Sequence, residues 1–265
     1  MSDLKPVFIA DTCIGGLSVV KSMWNSGGAG DAVFLADYAI NPLGVKSDSA
    51  IADVVNRWLG LAAEHSDTLV IACNTLSIRY HQLLRSNASF SGLERIVSMV
   101  DCFEAMVEIE ADRLANGKVL IVGTEFTASQ RLYPDILSAA LPGIHTDTVS
   151  ATELERKIAR FQPWNSAGES VLSMELRQAI ENTDIAVLAC TCFPLVRAEL
   201  ESLFPSVIFL DPGTYCPGLL NESSLAQHRQ LRIKVTGDVV SATRVTEFAK
   251  SYLSNESEGA NRCCT

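Results

Sequence analysis

Eight short apolar runs punctuate the chain, each too short for a helix and rich in β-branched residues. They are VFIA (7–10), AVFLA (32–36), TLVIA (68–72), RIVSMV (95–100), KVLIVG (118–123), DIAVLA (184–189), SVIFLD (206–211) and IKVT (233–236). Near-continuous apolarity, rather than alternation, marks strands that are covered on both faces. Between the runs the pattern shifts to a helical period, as in SAIADVVNRWLGLAAEH (49–65) and SVLSMELRQAIENT (170–183). Strands alternating with amphipathic helices predict an α/β fold with mainly parallel sheets. SNESEGANRCCT (254–265) reads as a frayed polar tail.

The pattern also repeats. VFIADTCIGG (7–16) and VLIVGTEFTA (119–128) each run from an apolar strand into a Thr at the following turn. LVIACNTL (69–76) and AVLACTCF (186–193) each end a strand on Ala-Cys followed by a hydrogen-bonding residue. The two pairs occur in the same order at nearly equal offsets, which predicts two similar halves. The competing reading is chance similarity among short apolar strands. In open α/β sheets, ligands bind outside the carboxyl ends of strands. Cys73 and Cys190 both lie at such ends, so facing halves bring two thiols to one cleft.

Composition narrows the function. Of 265 residues, 48% are hydrophobic and 20% charged, the balance of a folded globular chain. A net charge of −10 argues against nucleic acid or anionic membrane as partner, while leaving room for a small anionic substrate. No apolar run is long enough to span a bilayer and no leader pattern is visible, so the chain reads as cytoplasmic. Its eight cysteines then read as free thiols. The four histidines lie apart from them and no Cys-x-x-Cys occurs, so no metal site is expected, although Cys190-x-Cys192 leaves a zinc reading open. Neither a GxGxxG nor a P-loop is present.

A lone cysteine in an apolar strand is usually a packing residue, the reading that suits Cys13, Cys102 and Cys216. Cys73 and Cys190 differ because Asn74, Thr75 and Thr191 follow them where a strand passes into a loop or helix N-terminus. Backbone N–H groups there hold carboxylates and lower a thiol's pKa. Two acid/base groups on opposite sides of a tetrahedral carbon suit racemisation or epimerisation. One removes a proton and the other delivers one to the opposite face. No cofactor is expected for this, although spacing alone leaves a pyridoxal-phosphate lysine open.

At this point the chain resembles the aspartate/glutamate racemase family, which is cofactor-independent. IADTCIGGLSVV (9–20) is similar to its Asp-Ser-x-x-Gly-Gly-Leu motif, and LADYAINPLGVKS (35–47) to its Pro-Tyr-Gly-x-Lys-Ser stretch. VIACNTLS (70–77) resembles the first catalytic motif. VGTEFTASQRLY (122–133) matches a Gly-Thr-x-x-Thr stretch, LACTCFPLV (188–196) the second catalytic motif, and FLDPG (209–213) the segment after it. The resemblance implies two pseudo-symmetric α/β domains, 1–97 with 211–265 and 98–210, and an active site between them. It implies Cys73 and Cys190 as the proton-transfer pair and Asp11 as the group that helps set a thiol's protonation. Thr12, Asn74, Thr75, Thr124, Thr127 and Thr191 would hold an acidic amino acid, with Leu43 and Gly44 lining the pocket. Glu153 is the choice for a glutamate near the amino group or a thiol, against the reading of a solvated helix residue. The resemblance also implies a homodimer.

Three positions depart from the family pattern. Asp-Ser becomes Asp11-Thr12, the Tyr of Pro-Tyr-Gly becomes Leu43, and the His after Cys-Thr becomes Cys192. In glutamate racemases that His assists the second thiol, so Cys190 needs another source of activation. Cys192 is either a second thiol in the pocket or a packing residue. These departures are most similar to the stand-alone racemases of microcystin-type nonribosomal peptide biosynthesis, which implies aspartate ahead of glutamate. A hydantoin racemase, maleate isomerase, decarboxylase or non-catalytic binding protein of the same fold remain alternatives.

Overall fold

The computed structural model describes residues 5–27, 30–41, 43, 46–84, 92–166, 169–220 and 229–254. In chain order the first half runs β1 (Val7–Asp11), α1 (Leu17–Asn25), β2 (Ala32–Asp37), α2 (Asp48–Ala63), β3 (Thr68–Ile71), α3 (Asn74–Leu83), β4 (Arg95–Ser98) and α4 (Met99–Ile109). The second continues with α5 (Ala111–Ala115), β5 (Val119–Gly123), α6 (Glu125–Ser129), α7 (Leu132–Ala140), β6 (Thr146–Ser150) and α8 (Thr152–Ala159). A short hairpin, β7 (Asn165–Ser166) and β8 (Glu169–Ser170), precedes α9 (Met174–Glu181), β9 (Ile185–Ala189), α10 (Arg197–Leu203) and β10 (Ile208–Leu210). β11 (Leu231–Thr236) and α11 (Ala242–Ser254) close the described chain.

The strands form two larger sheets, ordered β11-β2-β1-β3-β4 and β10-β9-β5-β6. Every pairing within both is parallel. Stripped of β11, the first sheet places its strands second, first, third, fourth in chain order. The other sheet repeats that order with β6, β5, β9 and β10. The doubling read from the sequence is therefore a doubling of topology. In each sheet the order reverses between the first and third strand, β1/β3 and β5/β9, and such switch points are where open α/β sheets bind ligands.

Local chemistry sets the boundaries. β1, β2, β5 and β9 are buried along their whole length, as expected for strands covered on both faces. The apolar run 95–100 yields only a four-residue strand, because Ser98 and Asp101 form a reciprocal capping box that starts α4 at Met99. The run 206–211 keeps only Ile208–Leu210, and Asp211 turns the chain by accepting the Gly213 N–H at 2.8 Å. β6 carries TDTVS with polar and half-exposed positions, as an edge strand does, and the apolar pattern did not reveal it. Trp58 is fully buried on α2 and donates its indole N–H to Asp37 at 2.7 Å. Arg57 and Thr236 also donate to Asp37, which ties β2, α2 and β11 together. Among the described residues no helix is long and apolar enough to cross a membrane. Gly44 and the tail 255–265 lie outside the described residues.

Candidate active site

The carboxyl ends of the two sheets meet where Asp11 on β1 bonds Thr191 after β9 and Cys13 touches Cys192. Asp11 ends β1 with 1% exposure. Its carboxylate accepts the Thr12 N–H at 2.6 Å and the backbone N–H of Gly16, which leads into α1. The other carboxylate oxygen accepts the Thr191 hydroxyl at 2.9 Å, from the loop after β9. One buried carboxyl group thus spans both halves. Burial pushes Asp11 up to about 7, against the pull of these three donors.

Cys73 is the N-cap residue of α3, buried at 7% exposure, with its sulfur 3.7 Å from the Thr12 hydroxyl. The Leu76 N–H in the first turn of α3 also reaches the thiol. That helix end favours a thiolate, as the sequence position suggested. Desolvation nevertheless holds the thiol well above its ordinary value, and the Asp11 charge adds to it. Cys190 follows β9 at 8% exposure, and its carbonyl accepts the Phe193 N–H at 3.0 Å to start a tight turn. The buried Tyr133 phenol lies near enough to both Cys73 and Cys190 to sense the charge of each.

The hydroxyl and amide residues fall into several local groups. Asn74 and Thr75 are buried in the first turn of α3, and Asn74 accepts the Tyr133 hydroxyl at 2.6 Å across the seam. Asn41 donates to the Thr12 carbonyl at 2.8 Å. Thr124 caps α6, lies 3.2 Å from the Thr127 hydroxyl, and accepts the Thr127 N–H. Thr127 and Leu43 are buried. The halves approach so closely that a Cβ on Gly15 would sit 2.5 Å from the Thr191 hydroxyl and 2.8 Å from the Cys192 nitrogen.

Glu153 is not brought to this site. It lies on the outward face of α8 with its side chain 62% exposed and paired to Arg156. Its neighbour Glu155 turns inward instead. Burial pushes the Glu155 carboxyl up to about 7, with Arg156 and Arg160 opposing the rise. Glu155 approaches Cys13 and Cys192, the three side chains' donor atoms lying within 4.8 Å of one another. The Cys13 and Cys192 sulfurs are 3.2 Å apart and both residues are buried. Cys192 also hydrogen-bonds Cys190. Cys13 is buried in the core, as its apolar setting in the sequence implies, while Glu155, Tyr133 and Asn41 carry no comparable sequence expectation. The available signals were the two-residue step from Asp11 to Cys13 and the Tyr closing VGTEFTASQRLY.

Residues 35–215 match the family model described as Asp/Glu/Hydantoin racemase. The chain belongs to this racemase family. Glutamate racemase of Vibrio parahaemolyticus is 28% identical over 223 residues, 80% of this chain and 76% of that protein. The crystal structure of glutamate racemase from Campylobacter jejuni covers 96% of this racemase and 100% of its own chain, with a TM-score of 0.73 at 23% identity. Picrophilus torridus aspartate racemase covers 83% of this racemase and 93% of its own chain, with a TM-score of 0.53 at 19% identity. These neighbours share the α/β fold with two mainly parallel sheets.

Proposed function

We propose that the racemase interconverts the enantiomers of an acidic amino acid by proton transfer between Cys73 and Cys190. Support comes from the pairing of the two thiols with equivalent switch points of a doubled fold, Cys73 after β3 and Cys190 after β9. One cysteine, as thiolate, takes the Cα proton and leaves a carbanion delocalised into the α-carboxylate. The other, as thiol, returns a proton to the opposite face, and the reverse direction exchanges the roles. Thr12, Asn74, Thr75, Thr124, Thr127 and Thr191 supply hydroxyl and amide groups for the ammonium and carboxylates. Asp11 acts as a positioning residue, tying Thr12 beside Cys73 to Thr191 beside Cys190. The sheets then correspond to two domains, 1–97 with 211–265 and 98–210.

Glutamate is the better supported substrate, because the curated relatives are glutamate racemases. A second reading, aspartate supply of the kind used in nonribosomal peptide synthesis, draws on Leu43 and Cys192 standing where the family carries Tyr and His. One methylene separates the substrates and is worth about 1–3 kcal/mol in a pocket. The test is circular dichroism of L-glutamate and L-aspartate incubated with purified protein and no added cofactor. The expected result is decay of ellipticity to zero, faster with glutamate, and no decay with Cys73→Ser or Cys190→Ser. Full activity in Cys190→Ala would refute the two-thiol mechanism. Faster decay with aspartate selects the second reading.

A further inference from the structure

Cys13, Glu155 and Cys192 make up a cluster to which the proposed function gives no role. They come from three distant segments, the loop after β1, helix α8 and the loop after β9. Two thiols and one carboxylate lie together, with all donor atoms within 4.8 Å of one another and the sulfurs 3.2 Å apart. Tetrahedral zinc takes sulfur at about 2.3 Å and carboxylate oxygen at about 2.0–2.2 Å, which sets ligand atoms roughly 3.5–3.8 Å apart. Reaching that geometry needs the sulfurs to separate by a few tenths of an ångström and the carboxylate to close in. Side-chain rotation supplies such shifts.

The electrostatic surroundings point the same way. The charged groups that bear on the Cys13 thiol, Asp11, Glu155 and Cys190, are all acids. Arg156 and Arg160 bear on Glu155 from its own helix end. A pair of buried thiols beside a carboxylate is the residue set a thiophilic cation takes. It becomes a strong ligand set once a cation displaces the thiol protons.

We propose that Cys13, Cys192 and Glu155 form a binding site for a thiophilic divalent cation of the zinc type. On binding, the two thiol protons pass to solvent and two metal–sulfur bonds form, with no change of oxidation state. Three protein ligands leave a fourth position open. Cys190 interacts with the ligand Cys192 through its side chain. An ion held there draws the Cys190 thiolate away from proton transfer, so occupancy inhibits the racemase reversibly. This inhibitory consequence rests on the two-thiol reading above, whereas the site itself does not.

The test uses Co2+ as a spectroscopic probe on the full chain, kept reduced with a non-thiol reductant. The expected result is one Co2+ per chain with sulfur-to-cobalt charge-transfer absorption, displaced by Zn2+. Affinity should fall by about tenfold or more in Cys13→Ser and in Glu155→Gln, the scale of loss on removing a supporting or direct ligand. Cys102→Ser, at a separate buried thiol, should bind as the parent does. Circular dichroism melts check that each variant is folded. Should Cys13→Ser fail to fold, Cys13→Ala and Glu155→Gln carry the comparison. Absence of the charge-transfer band, or an undiminished band in the folded variants, overturns the site. Zn2+ should also abolish racemisation, with recovery on adding a chelator. Bound Zn2+ with unchanged racemisation overturns the inhibitory role and leaves the binding result standing by itself.

Discussion

Thr191 is the side chain by which the second half grips the first, since its hydroxyl donates to Asp11 inside the protein. Replacing it with Val keeps the shape and removes the donor. A buried carboxylate that loses such a donor is left with a desolvation cost of about 1–3 kcal/mol. Thr191→Val is therefore expected to lose about ten- to a hundredfold in kcat/KM, with Thr191→Ser restoring most of it. Steady-state kinetics on the three proteins check this, and equal kinetics for Val and Thr would show that Asp11 does not depend on the contact. At the same scale, the sequence pointed to Asp11, Cys73, Asn74 and Cys190 because each stands at a strand end in a recognisable motif. Of its two readings for Glu153, a group near a thiol or a solvated helix residue, the structure shows the exposed one. Glu153 and Glu155 are two residues apart on α8, so they face different sides, and only the packing of the helix selects which one turns inward.

Among the elements, the loop from β1 into α1 carries the tightest constraint. Gly15 passes against the backbone of Thr191 and Cys192, and a methyl group there meets atoms at 2.5 to 2.8 Å. Neither neighbour is the free end of a flexible chain, so one loop must retreat. Gly15→Ala is expected to lower the midpoint of thermal unfolding and to reduce kcat, because the same displacement separates Thr12 from Thr191. A melt matching the parent would show that the loops yield without cost. Most strands were legible as apolar runs, because parallel strands buried on both faces leave little room for polar residues. β6 was not, since an edge strand with exposed positions carries no such signature. Run 95–100 was read too long because the capping box of Ser98 and Asp101 draws Met99 and Val100 into α4, whatever their β-propensity.

For the whole molecule, the two sheets are joined by more than the site. Tyr38, after β2, donates to the Ala159 carbonyl on α8 at 2.8 Å, and Arg244 on α11 donates to the Phe161 carbonyl at 3.0 Å. One apolar cluster runs from Val7, Phe34 and Val70 in the first sheet to Leu120, Leu188 and Phe209 in the second. A core shared in this way predicts one cooperative unfolding transition, with equal calorimetric and van't Hoff enthalpies. Two resolved transitions in scanning calorimetry would show that the halves unfold independently.

By itself the sequence determined the α/β class, the doubling and the standing of Cys73 and Cys190 at strand ends. Those features are written in local pattern: strand apolarity, the residue that follows each strand, and motifs of a few positions. Tertiary structure alone decided which distant side chains share a space. Asp11 meets Thr191, Asn74 meets Tyr133, and Cys13 meets Cys192 and Glu155 only because two sheets of like topology abut at their carboxyl ends. Chain neighbours constrain the backbone over a few residues. Partners far apart in the chain are set by how buried surfaces fit, and no local pattern encodes that fit.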